Sequence, residues 1–291
     1  MKTTQVLLAG ATGYLGRYIA QQLVESGYKT TLLVRNKQKA KFDTKQFNVV
    51  EAEVTQPDSL RGLFEQIDIV ISTVGITRQK DGLTYMDVDY QANVNLIEEA
   101  KKHQVKKFIY VSVLNGDKLR KIKVCEAKEK LGDYLKASGL DYCIVRPNGF
   151  FSDMGDFLKM AQGGKVYLFG DGKPKLNPIH GKDLAKVCVD AIQSSDKELP
   201  VGGPDLLSQN EIASLALGAY SKPSKIIYFP DWTRKLTLWL LRTFTSSKFY
   251  GPAELFLTTM AMDMSAPCYG EEHLKDFFKE TVSKQQKRAT P

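Results

Sequence analysis

The sequence predicts an α/β protein: a doubly wound parallel sheet with a smaller C-terminal region for substrate. Three observations predict it. Short apolar, β-rich runs alternate with amphipathic helical segments through the N-terminal half. The first of these runs ends in a glycine-rich turn that opens directly into a helix. Beyond Pro147 the alternation weakens into mixed helices and glycine- and proline-containing loops.

In order, Gln5–Ala9 (QVLLA) is a short run, apolar from Val6 and followed by glycine, as expected for a strand buried on both faces. Tyr14–Glu25 places Leu15, Ile19, Leu23 and Val24 on one side of a helix. Lys29–Val34 is β-rich again, and 47–50, 67–73, 107–113 and 141–146 repeat the pattern. Helices are expected between them, most clearly over 89–103, with Val94, Leu96, Ile97 and Ala100 inward, and over 121–138. Strand–helix alternation of this kind implies right-handed parallel βαβ units. Later helices are expected over 183–194, 209–220, 232–244 and 270–284, with a turn at 202–204. The expected organisation is one continuous structural unit in which 1–150 binds a nucleotide and 151–291 forms a substrate and lid region.

Composition narrows the function classes. The 291 residues are 43% hydrophobic and 25% charged, a soluble globular balance that needs no disulfide or metal staple. Cys125, Cys143, Cys188 and Cys268 have no framework or metal spacing and read as reduced thiols. The net charge of +8 favours a phosphorylated ligand, but no nucleic-acid motif accompanies it. Cationic runs such as 118–123 and 284–288 read as solvated faces, and nucleic acid is not an expected partner. No apolar run reaches the ~18 residues of a spanning helix. The first strand follows Met1 without a signal-peptide pattern, so a cytoplasmic location is expected.

The turn after the first strand reads Gly10-Ala11-Thr12-Gly13-Tyr14-Leu15-Gly16, a G-x-x-G-x-x-G. Glycines there allow a sharp turn, close approach of backbone amides to a pyrophosphate, and tight helix-to-strand packing. The following helix adds unpaired N–H groups and a positive dipole end. Its setting between an apolar strand and an amphipathic helix marks a dinucleotide site of Rossmann type. The second strand then runs into Arg35-Asn36-Lys37, where an NAD-type site would carry an acid for the ribose 2′-hydroxyl. Arg35, with Lys37 nearby, suits a 2′-phosphate instead, so NADP(H) is the expected cofactor.

These motifs, GATGYLGRYIAQQL followed by LLVR, resemble the atypical and extended short-chain dehydrogenase/reductases. DIVISTVG, DVDYQANVNLIEEAKKHQVKKFIYVSV, AKEKLGDYLKASGLDYCIVRPNGFF and NPIHGKDLA fall in the family's order. The sequence is most similar to the NmrA-like and divinyl-chlorophyllide-reductase-like branch. The resemblance implies that Thr73, Val74 and Gly75 border the adenine ribose. It also implies that Pro147, Asn148 and Phe150 lie by the nicotinamide, with Lys128 on the nicotinamide ribose. His180 falls in a loop that the resemblance brings to the substrate pocket, against the plainer reading of a structural histidine. His103 and His273 read as surface residues.

Catalysis is where the sequence departs from the family. Ser112 matches the family's active-site serine and Lys128 its lysine, but Val124 stands four residues before Lys128, where a tyrosine would act as general acid/base. Tyr134 and Tyr142 are the candidates to replace it. Lys128 would protonate substrate itself only with a depressed pKa. Its bland alternative is an exposed lysine, and that of Ser112 a small residue at a crowded strand end. Phe150 and Phe151 are expected as an apolar wall at the hydride site or, equally, as core.

Two function classes follow. One is an NADP(H)-dependent oxidoreductase acting on an apolar small molecule. The other is a non-catalytic NADP(H)-binding regulator or assembly subunit, favoured by Val124. The segment from Trp232 to Phe244, with two tryptophans and three cations, reads as a packing helix, a lid over an apolar substrate, or a peripheral membrane contact.

Overall fold

Strand β1 (Gln5–Ala9) is buried from Val6 onward and is an interior strand of the main sheet, as its apolar run requires. The computed structural model describes residues 4–77, 79, 82–223 and 225–289, with side chains to residue 287. The Arg288 side chain, at the end of the second cationic run, lies outside the described residues. After β1 come α1 (Tyr14–Glu25), β2 (Lys29–Val34), α2 (Lys37–Ala40), β3 (Asn48–Glu51), β4 (Ile69–Ser72), α3 (Ala92–Lys102), β5 (Lys107–Val111), α4 (Lys123–Ala137) and β6 (Tyr142–Pro147). There follow α5 (Gly155–Gln162), β7 (Val166–Phe169), β8 (Lys175–Leu176), α6 (Gly181–Asp190), β9 (Glu198–Val201), β10 (Leu207–Ser208), α7 (Gln209–Ala219), β11 (Ile226–Phe229), α8 (Asp231–Phe244), α9 (Ser247–Thr259) and α10 (Leu274–Ala289).

The main sheet has the order β3-β2-β1-β4-β5-β6-β9, and each pairing from β3 through β6 is parallel. This is the doubly wound, Rossmann-like architecture expected from the alternation of strands and helices. On one face Leu7, Val70, Phe108 and Tyr110 pack with Leu96 and Ile97 of α3 and Leu131 of α4. Ile19 and Leu23 of α1 are fully buried, at the i, i+4 spacing that the sequence shows.

The chain divides into two compact units that interleave in sequence: 1–146 with 184–199, and 147–183 with 200–291. The sequence expectation places one cut after residue 150; the chain instead returns to the first unit through most of α6. The second unit has its own core, in which Phe151, Phe157 and Leu168 meet Ile212, Leu217 and Phe278. Its strands form two small ladders, β8 antiparallel to β10 and β7 parallel to β11.

Three local differences from expectation matter. The helix expected over 89–103 begins earlier, as a π-helical turn at Met86–Gln91 that leads into α3. The buried Asn93 side chain explains the wide turn, since it donates to the carbonyls of Val88 and Asp89 at 3.3 and 3.0 Å. Helix α9 has no counterpart in the sequence reading, because Gly251 and Pro252 sit inside its first turns. The last helix starts at Leu274 rather than 270, because Gly270 takes a left-handed φ of 95° and the Asp183 carboxylate binds the amides of Glu271 and Glu272.

Candidate functional site

Strand register assembles the site. β1 pairs Ala9 with Leu33 of β2 and with Ser72 of β4, so Gly10, Val34–Arg35 and Thr73 share one carboxyl edge. The winding direction reverses between β1 and β4, the place where open α/β sheets bind ligands. A cleft of about 280 Å³ opens there, lined by Gly10, Thr12 and Gly13, by Arg35 and Thr55, and by the stretch from Thr73 to Ile76.

Two of the glycines have a local cause. Gly10 has a φ of 85°, and a Cβ there would strike Thr73. A Cβ on Gly16 would overlap the Gly10 carbonyl oxygen, so this glycine lets α1 pack down on the turn. Gly13 precedes α1 with no side-chain cap, and no acid occupies the first turn. The amides at this end therefore keep their capacity for an anion. Tyr14 begins α1 edge-on to Tyr18, whereas Leu15 is buried beneath the turn.

Arg35 reaches the cleft, is exposed, and has no hydrogen-bond or ion-pair partner among the described residues. Lys37 does not line this cleft. It begins α2, where its amide donates to Glu51 at 2.8 Å, and it borders a separate shallow hollow. Glu53 and Thr55, just past β3, join the cleft wall beside Val54, and the Thr55 hydroxyl donates to the Glu53 carboxylate at 3.1 Å. The sequence reading missed them, and only the adjacency of β2 and β3 in the sheet brings them there.

The far wall is held by a buried network. Ser72 donates to Asn93 at 2.5 Å, and Asn93 donates to the Val74 carbonyl at 3.2 Å, fixing the loop after β4. Asp89, fully buried, accepts the Ile76 amide at 3.1 Å and faces the Lys128 ammonium at 2.9 Å. A Cβ on Gly75 would lie 2.6 Å from that carboxylate and 3.0 Å from the Lys128 nitrogen. Glycine is what lets the pair abut the cleft wall.

Lys128 is therefore no exposed surface lysine. Burial pulls its pKa down, but Tyr110 and the Asp89 carboxylate more than offset this and the net direction is upward. The depressed value needed for Lys128 to act as a proton donor is not what the surroundings produce. Burial raises Asp89 as well, against the opposing pull of Lys128.

Ser112 follows β5, is buried, and directs its hydroxyl toward Glu129 at 3.4 Å. Glu129 is held by two hydrogen bonds from Arg146, at 2.6 and 3.1 Å, so Ser112 borders a structural ion pair. Val124 is buried on α4. Neither substitute tyrosine serves: Tyr134 donates to Glu98 at 2.7 Å, a bond that with burial pushes its pKa up to about 12, and Tyr142 lies under the Lys197 ammonium. The tyrosine beside Lys128 is Tyr110, whose ring centre is 5.8 Å from the ammonium. It is fully buried, and burial pushes it up to about 12.

In the second unit, Pro147 is the last residue of β6 and is buried. Asn148 is a buried fastener, donating to Asn177 at 2.9 Å and to the Met264 carbonyl, while its own amide donates to Val201 at 2.9 Å. Phe150 is half-buried and bridges to Ile179. Phe151 belongs to the core, against His180 and Phe277 at 5.5 and 5.4 Å. Of the two accounts of Phe151, core packing is the one realised. His180 is half-buried and its Nδ1 accepts the Lys182 amide at 3.3 Å, while burial lowers its pKa. His103 is half-buried against Phe64 rather than a surface residue.

The residues at the β1–β4 edge fit a dinucleotide: a turn that demands glycine at Gly10 and Gly16 and, among the described residues, a helix N-terminus with no side-chain cap and an arginine with no partner. A family profile described as NAD(P)H-binding matches residues 10–195. The chain belongs to that family. Among its relatives is divinyl chlorophyllide a 8-vinyl-reductase of Cucumis sativus, 28% identical over 97% of this chain and 77% of that protein. Another is the photosystem II assembly factor Ycf39 of Synechocystis, 27% identical over 96% of this chain and 92% of that one. Both bear out the family resemblance read from the sequence. An NADPH-dependent quinone oxidoreductase of Escherichia coli, solved with NADPH, shares the fold of this NAD(P)H-binding chain: TM-score 0.72, 15% identity, 95% and 99% of the two chains.

Proposed function

We propose that the protein is an NADP(H)-dependent oxidoreductase that exchanges a hydride with an apolar small molecule. The observation that carries the reading is Arg35, a cation in the cleft at the end of β2 with no partner among the described residues, where a 2′-hydroxyl-binding acid would otherwise stand. In this reading the α1 amides and Gly13 hold the pyrophosphate, Arg35 the 2′-phosphate, and Gly75 lets Lys128 approach the nicotinamide ribose. The bound nicotinamide supplies the hydride. Lys128, kept charged, binds and orients and does not deliver a proton. Likeness to a vinyl reductase supports transfer at a carbon–carbon double bond, the hydride going to one carbon and a proton from solvent to the other.

A second reading is supported by Val124 and by the engagement of Tyr134 with Glu98. With no tyrosine four residues before Lys128, the chain would hold NADP(H) as a ligand and act as a regulator or assembly subunit. Likeness to an assembly factor is consistent with it. Titration calorimetry with NADPH and NADH, on wild type and Arg35→Ala, tests the shared part. NADPH affinity should fall about tenfold or more in the variant, ~1.4 kcal/mol, with NADH little changed. If neither nucleotide bound, both readings would fall. NADPH oxidation against a panel of apolar enones and quinones then separates them: turnover supports the enzyme, and tight binding without turnover supports the subunit.

A further inference from the structure

Eleven large apolar side chains are exposed among the described residues, and nine of them lie on β7, β11, α8 and α9. Single exposed hydrophobes are ordinary on a protein surface; a concentration on one part of one unit is not. On α8 the exposed members are Trp232, Leu236, Trp239, Leu240 and Phe244. Their spacing places all five along one stripe of the helix. The opposite stripe is already used. Leu238 is buried there, and the buried Arg234 donates to Asp231 at 2.6 Å and to the Leu257 carbonyl of α9 at 3.2 Å. Helix α8 is thus fixed by its inner face and leaves its aromatic face uncovered. At the turn into α9, Phe244 and Phe249 are 73% and 72% exposed, so the tip of the hairpin is its most apolar point.

After Asp231, the first residue of α8, the charge is single-signed. Residues 232–250 contain Arg234, Lys235, Arg242 and Lys248 and no acid. Arg234 is occupied internally, and Arg242 pairs with the buried Glu254 at 2.6 Å. Lys235 is exposed, with Asp231 3.4 Å away, and Lys248 is exposed with no partner among the described residues. A second copy docking by the same patch would bring these cations toward one another. An apolar ridge flanked by lysines complements an anionic lipid surface, where tryptophan rings favour the headgroup level. No helix among the described residues is long and apolar enough to cross a membrane, so contact would be confined to the interface.

We infer that α8 and the α8–α9 tip dock the protein on an anionic lipid surface, with Trp239, Leu240 and Phe244 at the acyl boundary and Lys235 and Lys248 among the headgroup phosphates. The inference stands apart from either reading of cofactor use. It is tested by flotation of the full chain with vesicles of phosphatidylcholine alone and of phosphatidylcholine with about one-third phosphatidylglycerol. Wild type floats with the anionic vesicles, and its tryptophan emission moves to shorter wavelength. The Trp239→Ser/Leu240→Ser variant floats about tenfold less or worse, and Lys235→Gln/Lys248→Gln loses the preference for anionic lipid. Unchanged circular-dichroism melts establish that both variants fold. The inference is overturned if wild type floats with neither vesicle or if the tryptophan–leucine variant floats equally well. It is equally overturned if wild type forms a dimer that this variant abolishes without lipid, since the face would then be covered by a second copy.

Discussion

The Lys128 ammonium lies 2.9 Å from a carboxylate oxygen of Asp89, a residue with no exposure to solvent. Through this pair α4 is tied to the π-helical turn, and through the Ile76 amide the same carboxylate holds the loop after β4. A lysine so paired keeps its proton across the neutral range, which suits binding and orientation better than acid catalysis.

Asp89→Asn should therefore act on both stability and nucleotide affinity. Breaking a buried ion pair commonly costs about 3–5 kcal/mol; because asparagine can still accept the Ile76 amide, about 2–3 is expected here. Urea unfolding reads the first effect and NADPH titration the second. A variant as stable as wild type with undiminished NADPH affinity would show that the pair positions nothing.

Ser112 and Glu129 should separate cleanly. Ser112→Ala removes only a 3.4 Å contact and is expected to change stability by less than about 1 kcal/mol, with any NADPH oxidation retained. Glu129→Gln weakens the ion pair to Arg146 and should destabilise by about 3 kcal/mol. Loss of NADPH turnover in Ser112→Ala at unchanged melting temperature would restore the serine to a catalytic role.

The glycine turn and Arg35 were legible in the sequence because their requirements are local. Gly10 needs a left-handed φ, Gly16 a contact with its own turn, and Arg35 follows its strand directly. Asp89 was not legible as the partner of Lys128, since only the packing of α4 on the π-helical turn joins them. The same holds for Glu53 and Thr55, which depend on β3 lying beside β2. Tyr110 reads as one more apolar strand residue until the fold sets Lys128 over its ring. The interleaved return of 184–199 left no local mark, and Gly251 and Pro252 masked α9.

Gly75→Ala is a sharper probe of the cleft wall than any loop glycine. Its new Cβ would press on Asp89, which is buried and fixed, so the Lys128 amine and the loop must give way. Overpacking of this kind costs about 1–3 kcal/mol. NADPH affinity should fall while the far-ultraviolet circular-dichroism spectrum is unchanged. Full affinity in the variant would mean that the wall is not part of the nucleotide site.

Two histidines of the second unit should respond to pH in opposite senses. His273 is exposed, and its hydrogen bond to Asp205 at 2.9 Å raises its pKa above the ordinary 6.5. Its contribution to stability is fully present below 6.5 and disappears as pH rises through the folded value. His180, half-buried against Phe151 and Phe277, has its pKa lowered by burial and accepts a backbone amide as the neutral ring. Its contribution is present above 6.5 and disappears as pH falls through the folded value. Urea midpoints of His273→Asn should therefore lie furthest below wild type near about pH 5 and converge on it by about pH 9. His180→Leu should lose less stability than wild type between about pH 7 and 5, because no imidazole has to be charged inside the aromatic contact. Imidazole NMR titrations on either side of 6.5 would identify each histidine directly; values in the reverse order would overturn both assignments.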